Sequence, residues 1–453
     1  MSQSKKLFSE FEPISAKQWK QQIQFDLKGA DYNETLVWES PEGIKVKPFY
    51  HNDEFENNVA VTTQASQFKI GQNIYVHDVI KSNQRALDTL NRGAESIIFT
   101  IENDQISIEK LMVNLPLEKT TYFFYLPFLS IDFVNQLNKF SKENNAHFHI
   151  NIDPVGQLAK DGNWFHNQEI DFELLQNISK NTSLPYLSIN GSLYQNAGAN
   201  MVQQLAFTLA HCNEYFNKMD VQTPITIQMS IGSNYFFEIA KIRAMRLLFN
   251  TLAKEFNHNL DCKIIATPSR RNKTIYDYNV NMLRTTTECM SAILGGADVI
   301  PNMPYDAIYH KDNEFGDRIA RNQLLILKNE CYFDKVNNPA DGTYYIESLT
   351  EQLASKALIL FKELESNGGF INLLFNGTIQ KKITDSAQKE QEAFNTGKEV
   401  LLGTNKYPNK NDAMKNDLEL FPFMKQNPRK TLVVPIIEKR LAEKIEQERL
   451  DQE

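Results

Sequence analysis

Two apolar runs within the first third of the chain, Thr121-Tyr-Phe-Phe-Tyr-Leu126 and His147-Phe-His-Ile-Asn-Ile152, have the aromatic and β-branched composition of buried strands. Similar short runs recur on both sides of them and alternate with longer stretches of helical character. These further runs cover residues 96–101, 186–190, 225–230, 263–267 and 298–301, and an eighth is predicted at 343–346. Such alternation implies parallel strands joined by right-handed crossovers. We therefore predict an α/β fold, a (β/α)₈ TIM barrel of about 250 residues.

The chain has 453 residues, which is enough for one large barrel with extensions at both ends. Near the N-terminus, Trp19, Ile23 and Leu27 share one face of a predicted helix that Gly29 closes. Two short strands are predicted next, broken at Pro41-Glu-Gly43. We predict three regions: an N-terminal extended arm at 1–65, the barrel at 66–404, and a surface excursion with a linker-like C-terminal tail at 405–453.

Two helices of the barrel region have clear signals in the sequence. The first is predicted over residues 236–256, and its apolar face consists of Phe237, Ala240, Ala244, Leu248 and Leu252. The second is predicted to begin after an N-cap at Thr350 and to end at Gly368-Gly369. We expect both apolar stripes to pack in the core rather than against a cofactor.

Composition and charge restrict the partners and the compartment. The net charge of −8 and the pI near 5.7 argue against nucleic acid, because phosphate binding requires a basic surface. No apolar run is long enough to cross a bilayer, and the N-terminus has no secretory signal. No two cysteines form a Cys-x-x-Cys pair, so we predict buried, reduced thiols at Cys212, Cys262, Cys289 and Cys331. The predicted compartment is the cytoplasm.

A pair of histidines, His147 and His149, offers a possible metal site. Residues i and i+2 of a strand share a face, so two imidazoles inside a barrel could bind one metal ion, as in barrel metallohydrolases. Such a site needs further ligands at the ends of later strands, and those runs end in Asn190, Ser230, Thr267 and Pro301. Structural histidines are therefore the favoured interpretation.

Two further segments follow predicted strands on the side where barrels bind ligands. Asp153-Pro-Val-Gly has the composition of a turn, and a catalytic carboxylate there has no obvious partner. Ser269-Arg-Arg-Asn-Lys273 is a small basic cluster that could hold a phosphate or a carboxylate, and the alternative is a solvated loop. The sequence has no phosphate-binding loop, dinucleotide-binding glycine motif or nucleophile elbow.

Six stretches in family order resemble the methylmalonyl-CoA mutase family, and its small, non-catalytic β-subunits in particular. They cover residues 36–48, 190–199, 236–248, 284–296, 318–323 and 341–350. The resemblance implies a barrel that, in catalytic members, threads an acyl-CoA along its axis. In those members a C-terminal flavodoxin-like domain holds adenosylcobalamin, and the enzyme interconverts methylmalonyl-CoA and succinyl-CoA. Residues 440–449 resemble the start of the linker to that domain, and we expect the cobalamin-binding domain to be absent.

The departures from the family pattern lie at residues that contact substrate or cofactor. Leu193 and Asn196 replace a family histidine and glutamate, and leucine has no donor for a carbonyl oxygen. His77 stands at the position of the family's catalytic tyrosine, and residues 267–272 replace an Arg-Thr-Ser-Gly-Trp-Ser motif. The Asp-x-His-x-x-Gly motif that ligates cobalt is missing. The resemblance thus implies no catalytic, cofactor-binding or metal-binding residue in this chain.

These features predict a non-catalytic small subunit of adenosylcobalamin-dependent methylmalonyl-CoA mutase, an isomerase of propionate metabolism. The expected partner is a catalytic large subunit that carries the adenosylcobalamin in a heterodimer, and the chain alone should be inactive. An alternative is a catalytic acyl-CoA mutase barrel that uses a cobalamin domain supplied in trans. A second alternative is a barrel metallohydrolase that uses His147 and His149.

Overall fold

The computed structural model describes residues 8–55, 61–258, 260–425 and 427–453, and part of the predicted arm lies outside these ranges. The strands are β1 (Trp38–Glu39), β2 (Lys45–Val46), β3 (Lys69–Val76), β4 (Ser96–Ile101), β5 (Thr121–Tyr125), β6 (His147–Asn151), β7 (Ser188–Asn190), β8 (Ile225–Ile231), β9 (Cys262–Pro268) and β10 (Val299–Pro301). The helices are α1 (Ala16–Asp26), α2 (Tyr32–Leu36), α3 (Val79–Asn91), α4 (Ile108–Leu111), α5 (Ile131–Asn144), α6 (Pro154–Asp161), α7 (Gln168–Asn181), α8 (Ser192–Asn196), α9 (Met201–Lys218), α10 (Tyr235–Glu255), α11 (Val280–Gly295), α12 (Glu314–Asn329), α13 (Tyr344–Ser366), α14 (Gly369–Phe375), α15 (Thr378–Asn395) and α16 (Glu443–Leu450).

Eight parallel strands form the barrel, in the order β6-β5-β4-β3-β10-β9-β8-β7. A parallel bridge between Ile152 and Leu187 joins the two ends of this sheet. The backbone N–H of Ser188 donates to the Ile152 carbonyl at 3.0 Å across the same seam. The barrel fold is therefore confirmed. Among the residues that the structure describes, no helix is long and apolar enough to cross a membrane.

The predicted eighth strand at 343–346 is wrong. Thr343 instead precedes α13, and Ile346, Leu349, Leu353 and Ala357 form the buried stripe of that helix. The aromatic and β-branched residues at its start suggested a strand, but helical packing overrides this local preference. The same helix begins at Tyr344 rather than after Thr350, so the predicted N-cap is also wrong.

The eighth strand of the barrel is instead β3, which was not predicted. Its sequence signal is weak because Gly71, Gln72 and Asn73 lie in its middle. Gly71 is required by a close approach: a Cβ there would lie 2.9 Å from Cγ1 of Val299 and 3.2 Å from the backbone nitrogen of Pro301. β3 pairs with β4 on one side and β10 on the other, and so completes the ring. The other seven predicted strands are confirmed.

Two predicted elements outside the barrel wall are also confirmed. The helix predicted at 236–256 is α10, and the five apolar residues of its predicted face are all buried. The strands predicted on either side of Pro41-Glu-Gly43 form the antiparallel hairpin β1–β2. The arm packs on the barrel through aromatic pairs: Trp38 with Phe237, at a centroid distance of 5.8 Å, and Tyr50 with Tyr345, at 5.1 Å.

The prediction of buried thiols holds for three of the four cysteines. Cys212, Cys262 and Cys289 are buried, and burial raises the pKa of Cys262 to about 12. Cys331 is exposed, which corrects the prediction for that residue. It lies just after α12, beyond the part of that helix that packs on the barrel.

Candidate functional site

The barrel interior is closed by a layer of apolar side chains. Ile98 on β4, Phe123 on β5, Ile265 on β9 and Val299 on β10 are buried and form one cluster. β5 and β9 lie on opposite walls of the eight-stranded ring, so the cluster extends across the barrel axis. This is the packing of an ordinary filled barrel.

The carboxyl mouth of the barrel is polar and open to solvent, down to the level of Ile98 in this layer. Asn73 is in register with Ile98, and Tyr75 with Thr100, so these residues share the inward-facing side of the strands. The Tyr75 side chain is 52% exposed. His77 follows at the rim, where its Nδ1 lies 3.0 Å from Oε2 of Glu102. The resemblance places the family's tyrosine at this position, and the imidazole of His77 has no hydroxyl to replace the tyrosine's.

Leu193 lies in α8, directly after β7, where the resemblance places a substrate-binding histidine. Its side chain is 1% exposed and belongs to the main core between the strands and the outer helices. Its backbone N–H donates to Oδ1 of Asn190 at 3.3 Å. This position therefore presents no polar side-chain atom to a ligand.

Asn196 connects the loop after β7 to two distant segments. Its Oδ1 accepts hydrogen bonds from Oγ of Ser269 at 2.8 Å and from the backbone N–H of Arg270 at 3.1 Å. Its Nδ2 donates to Oε1 of Glu438 at 3.3 Å, and its carbonyl accepts from the N–H of Lys439 at 3.1 Å. All polar groups of this side chain are thus used inside the protein, which is a structural role.

The basic cluster at 269–273 is neither a solvated loop nor a free anion site. Nζ of Lys273 lies 2.8 Å from Oε2 of Glu288, and both side chains are fully buried. Nε of Arg271 lies 2.5 Å from Oε2 of Glu390, and its Nη1 donates to the Lys439 carbonyl at 2.7 Å. Arg270 alone is exposed. Both interpretations made from the sequence fail here because acidic partners distant in the chain neutralise the buried charges.

Asp153 caps α6, as the turn composition predicts, but it also has buried partners that the sequence did not reveal. Its Oδ1 lies 2.8 Å from Nε2 of His211 and accepts from Oη of Tyr215 at 2.7 Å. Oη of Tyr194 lies 2.8 Å from the other ring nitrogen of His211. Burial opposes ionisation, yet the charge and hydrogen bond of His211 lower the pKa of Asp153. The four-residue spacing of His211 and Tyr215 on α9 is the one sequence signal for this network.

His147 and His149 lie at the amino-terminal end of β6, opposite the end where barrels hold catalytic groups. The His149 ring packs against Phe123 with a centroid distance of 4.8 Å, and burial lowers its pKa to about 4. In the described ranges, no three His, Cys, Asp or Glu side chains come together in an arrangement suited to a metal ion. The structural interpretation fits the environment of His149, whereas His147 is exposed at the start of the strand.

Comparison with known proteins gives the class to which this barrel belongs. Residues 102–448 match the family model described as methylmalonyl-CoA mutase. The chain therefore belongs to the methylmalonyl-CoA mutase family.

Three relatives show how much of the family pattern the chain covers. It is 34% identical to the methylmalonyl-CoA mutase small subunit of Porphyromonas gingivalis, over 90% of this chain and 72% of that protein. It is 28% identical to methylmalonyl-CoA mutase of Cereibacter sphaeroides, over 86% of this chain and 64% of that protein. The match to the Rhizobium meliloti enzyme is 36% identical over 50% of this chain and 33% of the relative. The chain thus spans less than two thirds of the length of the last two relatives.

The residues described include no flavodoxin-like domain of the kind that the resemblance implies for adenosylcobalamin. They form one eight-stranded barrel sheet and one hairpin, and no second parallel sheet of flavodoxin type is among them. None of the eight histidines of the sequence lies in an Asp-x-His-x-x-Gly motif. The exposed histidine at the carboxyl mouth, His77, is paired with Glu102.

Proposed function

We propose that this chain is a non-catalytic small subunit of an adenosylcobalamin-dependent methylmalonyl-CoA mutase. It acts in the cytoplasm as part of a heterodimer in which a catalytic large subunit binds the cofactor and performs the isomerisation used in propionate metabolism. The small subunit supports that partner and has no turnover of its own.

The observation that carries this proposal is the apolar layer across the barrel axis. An acyl-CoA threaded along the axis would have to pass between Phe123 and Ile265, which are buried in one cluster. Protein interiors packed in this way leave no room for a chain of methylene and amide groups without displacement of side chains. Leu193 and Asn196 support the same conclusion, since neither offers a free donor to a thioester carbonyl.

The arm supports the existence of a protein partner. Five apolar side chains between residues 8 and 25 of the arm are strongly exposed, and Phe25 reaches 78% exposure. They are Phe8, Phe11, Ile14, Trp19 and Phe25. Exposed aromatic groups concentrated in one segment are typical of surfaces that another chain covers.

Co-expression with the catalytic large subunit of the same organism tests the proposal. We expect a one-to-one complex by size-exclusion chromatography with light scattering, isomerase activity in that complex, and no activity of this chain with added adenosylcobalamin. Trp19→Ala with Phe25→Ala should weaken the complex, whereas Ile359→Ala, at an exposed apolar residue of α13, should not. A chain that stays alone in the presence of the large subunit would contradict the proposal.

A second candidate is a catalytic acyl-CoA mutase barrel that uses a cobalamin domain in trans. The open polar mouth formed by Asn73, Tyr75 and Thr100 favours it, because a ligand could enter from that side. Isomerisation by this chain after addition of a separate cobalamin-binding domain protein would establish this candidate over the first.

A further inference from the structure

The tip of the β1–β2 hairpin, residues 40–44, is seated on the outer helices of the barrel mainly by apolar contacts. Ile44 is fully buried in the main core. On the strand before the tip, Trp38 packs edge-on against Phe237 of α10, at a centroid distance of 5.8 Å. These contacts fix where the tip lies, and polar groups around it decide how firmly it is held.

The hydrogen bonds that join the tip to α9 within the described ranges are both long. Nδ2 of Asn200 donates to the Pro41 carbonyl at 3.4 Å. The backbone N–H of Met201 donates to Oε1 of Glu42, also at 3.4 Å. Bonds of this length are weak. The polar part of the contact therefore contributes little to the seating of the tip.

Glu42 brings a carboxyl group into this contact without a matching donor. Its Oε2 is buried and has no hydrogen-bond partner among the described residues. Burial raises the pKa of Glu42, the hydrogen-bonding groups of Ser40 and Met201 offset this only in part, and the charge of Glu238 raises it further. A buried, ionised acceptor without a donor is costly. The seated tip thus favours the protonated carboxyl group.

The buried ammonium group of Lys241 on α10 does not neutralise this carboxyl group. Its Nζ lies 2.5 Å from Oε2 of Glu238. The same nitrogen donates to Oε1 of Gln195 at 2.9 Å and to the Ser230 carbonyl at 2.7 Å. An ammonium group has three donors, so all those of Lys241 are used.

Further acidic groups lie around the cavity of about 900 Å³ that the tip borders. They are Glu39 on the hairpin, Asp385 and Glu390 on α15, and Glu399 after that helix. They have the same sign as an ionised Glu42, so they do not favour its ionisation.

The cationic groups near the tip are either paired or do not reach its buried oxygen. Arg271 is paired with Glu390 and Lys382 with Glu363. The other lysines are Lys389 and Lys398, which are exposed on the cavity wall, and Lys356 of α13, which lies beside Gly43. None of these cationic side chains is a hydrogen-bond partner of Oε2 of Glu42.

We propose that Glu42 is a proton-dependent latch of the N-terminal arm: the hairpin tip is firmly seated on α9 while this carboxyl group carries a proton, and it loosens when the carboxylate forms. The pKa of Glu42 is higher in the seated than in the released hairpin. Seating is therefore strongest below the ordinary glutamate pKa and weakens as the pH rises through the seated-state value. The latch does not depend on the proposed mutase role, because it acts within the isolated chain.

Hydrogen exchange of the isolated chain, measured by mass spectrometry on peptides that cover residues 36–48, tests the proposal. After correction for the intrinsic rate, we expect exchange to be several-fold faster at about pH 8 than at about pH 5. Glu42→Gln keeps the shape of the side chain without its charge, so exchange should stay slow at both pH values. Glu39→Gln, at an exposed glutamate of the same hairpin, is the matched control and should keep the wild-type pH dependence.

A second readout reports release of the tip directly. In an Ile44→Cys variant the new thiol should react with a maleimide only when the tip leaves the core, and the exposed Cys331 provides the internal reference for the effect of pH on thiol reactivity. The ratio of the two labelling rates should rise with pH, and addition of Glu42→Gln should abolish this rise while the protein remains folded by circular dichroism.

Three results would overturn the proposal. One is corrected exchange of the wild-type hairpin that is equal at both pH values, as expected if the nearby lysines neutralise the carboxylate. The others are a pH dependence that persists in Glu42→Gln, and one that disappears in Glu39→Gln.

Discussion

Nη2 of Arg440 lies 2.6 Å from Oε2 of Glu446, and both side chains are buried between the C-terminal segment and the loop after β9. Arg440 also donates to the carbonyls of Pro422 and Lys273, and Oε1 of Glu446 accepts from the N–H of Ile275 at 2.9 Å. Leu441 is buried beside them. The C-terminal segment is thus part of the barrel's structure.

Arg440→Met should therefore destabilise the protein. It leaves Glu446 buried without a cation, a change that costs about 3–5 kcal/mol in comparable sites. Urea denaturation followed by circular dichroism measures the difference in the free energy of unfolding. Lys444→Met is the control, because its ammonium lies 3.9 Å from Glu448 in an exposed pair, and we expect less than about 0.5 kcal/mol there. Equal effects of the two substitutions would contradict the buried-pair account.

Tyr215→Phe should lower stability by about 1–3 kcal/mol, because it removes a donor from the buried carboxylate of Asp153. The loss should depend on pH. The folded-state pKa of Asp153 is lowered, so its contribution is present above the unfolded-state pKa and disappears as the pH falls through the folded-state value. The difference between the denaturation curves of wild type and variant should narrow from neutral to acidic pH, down to the part due to the Val155 N–H, which also donates to Oη of Tyr215. A constant difference down to low pH would contradict this prediction.

His310 should give a pH dependence of the opposite sign. Its ring nitrogens lie 3.2 Å from Asp306 and 3.4 Å from Asp417. Partial burial opposes protonation, but the two carboxylates outweigh it and raise the pKa of His310 above its ordinary value of 6.5. Its contribution to stability is complete below the unfolded-state pKa and is lost as the pH rises through the folded-state value. The stability difference between wild type and His310→Gln should therefore shrink above pH 6.5. A difference that stays constant over this range would show that the ion pairs contribute nothing.

Phe123→Ala should open the apolar layer across the barrel axis and reduce the free energy of unfolding by about 3–5 kcal/mol. We expect no isomerase activity from this variant, since Leu193 still provides no donor. Chemical denaturation and an isomerase assay with added adenosylcobalamin check the two parts. A substitution without effect on stability would show that Phe123 is not tightly packed.

The sequence predicted seven barrel strands because each has a dense apolar run, such as 121–126 at β5. The prediction failed for β3 because Gly71 and Asn73 face the interior of the ring rather than the apolar core outside it. It failed for 343–346 because local β-propensity does not report the helical stripe that continues to Ala357.

The sequence did not predict the polar networks of the site, for a different reason. Asp153 and His211 are 58 residues apart, and Asn196 and Glu438 are 242 apart. Only the folded chain brings these partners together, and the four-residue spacing of His211 and Tyr215 is the one sequence signal for either network. The loss of a donor at Leu193 needed no structure, because it follows from the residue type alone.

Acyl-CoA binding to the purified complex of this chain with the catalytic large subunit tests the central claim most directly. Equilibrium dialysis with methylmalonyl-CoA counts the bound molecules per heterodimer. The filled barrel axis predicts one acyl-CoA per complex, bound by the large subunit, and none bound by this chain alone. Two bound molecules per complex, or binding to the isolated chain, would contradict the account.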